Sequence, residues 1–90
     1  MDWHAVDLGA LSEELRATLP PAEAEKVVFA LEEALRVARV DDELLDCLLL
    51  AAVCLRAHSD EVAPRTVLER FFRRSVSDGE WRERYAGLLG

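Results

Sequence analysis

The sequence predicts an all-α fold: a compact five-helix bundle, a single helical domain over residues 1–90, built around a central apolar helix at about 43–58. Three observations predict it. Apolar residues recur at steps of three and four in each segment, the spacing that stacks side chains along one stripe of a helix. No run of four or more residues alternates polar and apolar with β-branched or aromatic enrichment, so no strand is expected. Pro20, Pro21 and Pro64 fall at breaks between the periodic segments, and the connections left between helices are short.

The first helix places Val6 or Leu8, Leu11, Leu15 and Leu19 on one stripe, with Asp7 as its N-cap and Glu13 and Glu14 on the wet side. It must stop near Thr18, because Pro20 and Pro21 each force the residue before them toward extended geometry. Pro21 then opens the second helix, where its missing N–H removes no hydrogen bond. On that helix Ala24, Val27, Val28, Leu31, Ala34, Leu35 and Ala38 fall within an arc of about 120° and form the core face. Glu25, Glu32, Arg36 and Arg39 lie on one wet flank, with Glu32 and Arg36 an i,i+4 pair. Phe29, Val37 and Val40 lie off the core arc in a second strip interrupted by Glu33.

Asp41, Asp42 and Glu43 open the third helix, where its N-terminus offers positive partial charge. From Leu44 to Ala57 only Asp46 and Arg56 are charged, so this helix belongs in the middle of the molecule. It is too short to cross a bilayer. After the polar break at Ser59–Ala63, Pro64 opens a fourth helix with Val67, Leu68, Phe71 and Phe72 on one face and Arg70, Arg73 and Arg74 toward its end. Ser77 and Glu80 have the spacing of a capping box, and Trp81, Tyr85 and Leu88 follow on one side of a short fifth helix. Gly87 and Gly90 are expected to fray.

Composition bounds the function. The chain is 51% hydrophobic and 32% charged, outside the regime in which chains stay disordered. Ninety residues fold roughly 14,600 Å² of extended surface down to roughly 5,300 Å². Burying the apolar share contributes on the order of 140 kcal/mol, and ordering the chain costs on the order of 135 kcal/mol. With so thin a margin, association with a copy or a partner would add stability. There is no Gly-rich phosphate loop, no H-E-x-x-H and no C-x-x-C, so neither an enzyme nor a cofactor or metal protein is expected. No segment reads as a targeting sequence or a membrane span, and reduced cysteines fit a cytoplasmic location. Fifteen Leu, thirteen Ala and ten Arg beside one Lys and no Ile, Asn or Gln resemble the output of a GC-rich bacterial or phage genome.

The net charge of −7 is unevenly spread along the chain: residues 1–55 carry −8 and residues 56–90 carry +1. A polyanion is repelled by such a molecule, so nucleic acid is not the expected partner. A protein with a basic surface is the natural inference, and a solvated acidic face explains the same charge without a partner.

Four groups of residues could carry function. Cys47, Cys54 and His58 project from one line of the third helix within an arc of about 40°. Thiol beside imidazole is the geometry of a nucleophile and its base, and also suits zinc, but cysteines among Leu48, Ala51 and Leu55 pack first as small hydrophobes. Two turns separate the cysteines, too far for a disulfide. Trp3 with His4, and Trp81 with Tyr85, read first as core and alternatively as partner anchors. Phe29, Glu33 and Val37 either pack as a second interior face or make a dimer or target surface. An adaptor, inhibitor or small subunit working through such a patch, possible homodimerisation included, is the expected function.

The last group resembles a nucleic-acid motif. An apolar helix ending near Ala57, a polar turn, and Ala63-Pro64-Arg65-Thr66-Val67 opening a helix with Leu68, Phe71 and Phe72 resemble the second half of a helix-turn-helix over about 25 residues. The resemblance implies a transcriptional regulator using residues 44–74, with Arg65 and Thr66 facing base edges and Arg70, Arg73 and Arg74 meeting phosphates. The turn departs from the pattern in lacking Gly and in carrying Asp60 and Glu61.

Overall fold

A computed structural model describes residues 5–89, so Trp3, His4 and Gly90 lie outside the described residues. The architecture is all-α, with five helices in chain order: α1 (Leu8–Thr18), α2 (Pro21–Val37), α3 (Asp41–His58), α4 (Pro64–Phe71) and α5 (Asp78–Leu89).

Each boundary has a local cause. Asp7 caps α1, its Oδ1 accepting from the Ala10 N–H at 3.3 Å. Leu19, held extended before Pro20, ends that helix. Pro21 and Pro64 occupy the first turns of α2 and α4, where a missing donor removes no helical bond. Asp41, Asp42 and Glu43 fill the first turn of α3, and Arg56 and His58 the last, so both ends complement the helix dipole. The capping box before α5 forms only in part. Glu80 reaches back to the Ser77 N–H at 3.5 Å, but the Ser77 hydroxyl donates to the same carboxylate at 3.2 Å instead of accepting from the Glu80 N–H.

α3 is the hub. Leu44, Leu45, Cys47, Leu48, Leu49, Ala51, Ala52 and Leu55 are buried on it, and it packs against all four other helices. One side stays open, because four neighbours in a chain this short do not close around a fifth helix. Leu50 is exposed there and Val53 and Cys54 are partly covered. α2 turns Ala24, Val28, Leu31 and Leu35 inward, with Ala38 just beyond its end, and α4 adds Val67, Leu68 and Phe71. A single continuous core runs from Val6 to Tyr85. The Cα radius of gyration of 12.0 Å agrees with the value of about 12 Å expected when a chain of this length packs around one centre.

Two local expectations are corrected. Arg36 pairs with Glu33 rather than with Glu32, one turn back at i,i+3. The chain is also not wholly without strand pairing: Val6 and Phe72 form an isolated antiparallel bridge. The Asp7 N–H donates to the Phe71 carbonyl at 2.8 Å and the Arg73 N–H to the Ala5 carbonyl at 2.7 Å. This clasp ties the entry to α1 onto the exit from α4. Each stretch leaves backbone donors and acceptors outside the regular helical ladders that need partners.

Candidate functional site

The site begins with the two faces of α2. Counting 100° per residue from Ala24, the buried residues lie near 0°, while Phe29 and Val37 fall at about 140° and 220°. They therefore point away from the core, at 64% and 61% exposure. Of the two readings of this strip, the interior one is excluded by the structure. Glu33 lies between the two side chains and is held by the Arg36 guanidinium. Lys26, Ala22 and Ala30 complete the same outer row, all exposed, and Val40 is exposed in the turn beyond it. Lys26 is the chain's sole lysine and has no ion-pair partner among the described residues. The wheel that isolates Phe29 also places Lys26 beside it, so this residue was legible and passed over. Full burial of a Phe side chain is favourable by about 1.5–3 kcal/mol, which this one leaves unrealised.

Trp81 and Tyr85 are corrected as candidate partner anchors: they are buried, at 8% and 6% exposure. α5 packs along α3 and buries its aromatic side. The two rings meet edge to face with centroids 6.2 Å apart, and the Trp81 indole N–H donates to Asp78 Oδ1 at 3.2 Å. The Tyr85 hydroxyl, by contrast, is buried without a hydrogen-bond partner among the described residues. Leu88, one turn on, is exposed.

The surroundings of Cys47 and Cys54 work against a reactive thiol. Burial pushes both thiols up from their ordinary value. The carboxylates of Asp46 and Glu43 add to the shift at Cys47, and Glu23 adds to it at Cys54. A nucleophilic cysteine requires the opposite shift. His58 Nε2 turns to Glu23 Oε2 at 3.0 Å, a contact between the last turn of α3 and the first of α2 that the sequence reading did not anticipate. No group of three His, Cys, Asp or Glu side chains placed to hold a metal ion occurs among the described residues.

The α4 arginines are exposed but mostly engaged. Arg65 binds Glu69 at 3.0 Å across one helical turn, and Arg74 binds Asp41 and, at 3.5 Å, Glu80. The Arg73 backbone belongs to the clasp. Thr66 and Arg70 are exposed on the outer side of α4, Arg70 without an ion-pair partner among the described residues. Between α4 and α5 lies an open groove of about 550 Å³, lined in part by Arg65, Phe72, Arg73, Arg74 and Trp81.

Charge in space differs from charge in sequence. Arg74 and Arg84, from the nearly neutral last third, fold onto the acidic start of α3, with Arg84 bound to Asp46 at 2.9 and 3.0 Å and to Asp42 at 2.9 Å. Glu13, Glu14, Glu32, Asp60, Glu61 and Glu83 remain without ion-pair partners among the described residues.

No helix among the described residues is long and apolar enough to cross a membrane. Comparison of the chain with protein-family models, with curated proteins and with solved structures finds no match.

Proposed function

We propose that this chain works by protein–protein contact, as an adaptor, an inhibitor of another protein or a small subunit of a larger assembly, with the outer face of α2 as its docking surface. The observation that carries the reading is Phe29, 64% exposed halfway along a helix whose opposite side already fills the core. An aromatic anchor bordered by charged side chains is how interfaces concentrate their affinity. The carboxylates of Glu13, Glu14, Glu32, Asp60, Glu61 and Glu83, unpaired among the described residues, supply long-range attraction for a partner with a basic surface.

The test compares what the immobilised chain retains from an extract of its source cell. Wild type is expected to hold a protein that Phe29→Glu and Val37→Glu release, and retention is expected to weaken between about 50 and 300 mM salt. Retention that survives both substitutions sinks the reading. Retention unmoved by salt removes its electrostatic half.

A second reading has one observation in its favour. Arg65, Thr66 and Arg70 share the exposed side of α4, the helix that follows α3, as the recognition helix of a helix-turn-helix regulator requires, although the five-residue turn between the two helices is longer than that motif's usual three to four. Its weakness is that Arg65 and Arg74 are already bound to carboxylates. Random duplex DNA at low salt decides the matter. Salt-dependent binding that falls with Arg65→Ala and Arg70→Ala supports the regulator, and no binding dismisses it.

A further inference from the structure

The outer row of α2 reads, in chain order, Ala22, Lys26, Phe29, Ala30, Glu33 and Val37. Its order is complementary to its own reverse. Laid antiparallel against a copy about a dyad between positions 29 and 30, Lys26 stands opposite Glu33, and Glu33 opposite Lys26. Ala22 then stands opposite Val37, and the two Phe29 rings meet near the dyad beside the small Ala30 side chains. A two-fold interface repeats every contact, so one Lys–Glu match becomes two. A parallel pairing would instead set lysine against lysine and glutamate against glutamate.

The charges on this row are those such a pairing needs. Lys26 has no ion-pair partner within the described residues, on a chain with eighteen acidic residues. Of the carboxylates flanking the row, Glu25 is engaged by Arg16 at 3.0 Å and Glu23 by His58 at 3.0 Å, while Glu32 is unpaired among the described residues. Glu33 is held by Arg36 on the edge of the row, which orients it without covering its outward side. The row itself, with Lys26, Glu33 and Arg36, is thus not acidic, unlike the molecule: the carboxylates elsewhere steer a basic target toward the chain, but on the row such a target finds no particular match. Another α2 does.

We infer that the partner of the α2 outer face is a second copy of this chain, docked antiparallel through Phe29 with reciprocal Lys26–Glu33 pairs. The inference rests on the reading of α2 as a docking surface and names its occupant. One helix face against another covers less than the roughly 1,200 Å² at which stable interfaces begin, so the dimer is weak and concentration-dependent.

Sedimentation velocity on the full chain, from about 5 µM to about 1 mM, tests it. Wild type is expected to pass from monomer to dimer across that range. Phe29→Glu, Lys26→Glu and Glu33→Lys should each raise the dissociation constant at least about tenfold while leaving the helical circular dichroism unchanged, since Phe29 and Lys26 are exposed, Glu33 is half-exposed and none of the three is in the core. An equimolar mixture of Lys26→Glu and Glu33→Lys should recover association to within about threefold of wild type, because each charge then meets its opposite across the dyad. A wild-type chain still monomeric at the highest concentration overturns the inference, as does a dimer indifferent to these changes or a mixture that fails to recover. A monomer that nevertheless loses a foreign partner through Phe29→Glu defeats the inference alone and leaves the docking surface standing. Should Phe29→Glu alter neither behaviour, both readings fall.

Discussion

The Tyr85 hydroxyl sits in the interior with no hydrogen-bond partner among the described residues, although the ring around it packs well against Trp81. An unmet polar group in that position carries a desolvation penalty, so Tyr85→Phe is expected to leave stability unchanged or raise it by up to about 1–2 kcal/mol. Tyr85→Ala is expected to lower it by about 3–5 kcal/mol through the lost ring. Urea unfolding distinguishes the two, and a loss above about 1 kcal/mol in the Phe variant would mean that the hydroxyl has a partner after all. The thiols allow a pH argument. Because burial raises Cys47 and Cys54, the folded chain keeps protons that the unfolded chain gives up near its ordinary thiol range of about 8.5. The thiols' contribution is therefore fully present below that range and declines as pH rises through it. Unfolding midpoints should fall further between pH 7.5 and 9.5 in wild type than in the Cys47→Ala/Cys54→Ala double variant, and equal slopes would refute the shift. The thiol burial was legible from the leucines and alanines around them. The His58–Glu23 contact was not, because helical periodicity orders residues within an element and says nothing about which end of a neighbour arrives beside it.

At the scale of elements, starts and stops are local matters, and the chain shows how far local chemistry reaches. Asp7, Pro21, the Asp41–Glu43 run and Pro64 each open the helix that their side chains favour. Asp7→Ala is expected to cost about 1 kcal/mol, read from the denaturation midpoint, since it strands the Ala10 N–H. A cost near zero would show that the clasp, rather than the cap, holds the start of α1. That clasp was invisible in the sequence. Its three-residue arms are too short to show alternation, and the partners lie 66 residues apart, Val6 against Phe72. The faces of α2 were half legible. Periodicity separated Phe29 and Val37 from the core arc, but whether α1 would fold over them depended on a crossing direction that no spacing encodes.

For the molecule as a whole, a core that is continuous from Val6 to Tyr85 implies one cooperative unfolding event. In a Trp3→Phe background, Trp81 fluorescence and far-ultraviolet circular dichroism should give coincident urea transitions. An earlier fluorescence transition would mean that α5 detaches from α3 first, making α5 a separate unit of stability. The net charge was readable from composition, but its map was not. The arithmetic that assigned −8 to the first 55 residues could not foresee that Arg74 and Arg84 return to neutralise the start of α3. Folding interleaves what the linear order separates, so the carboxylates left unpaired among the described residues include those of α1, α2, the α3–α4 turn and α5.

The back-to-back arrangement of α2 has an evolutionary corollary. Residues that specify the architecture and residues that greet the outside world occupy opposite sides of one rod. Mutations on such separated sides combine almost independently. Drift or selection could thus rewrite positions 22, 26, 29, 30, 33 and 37 wholesale, and with them the choice of companion, while the scaffold inherits its shape unchanged.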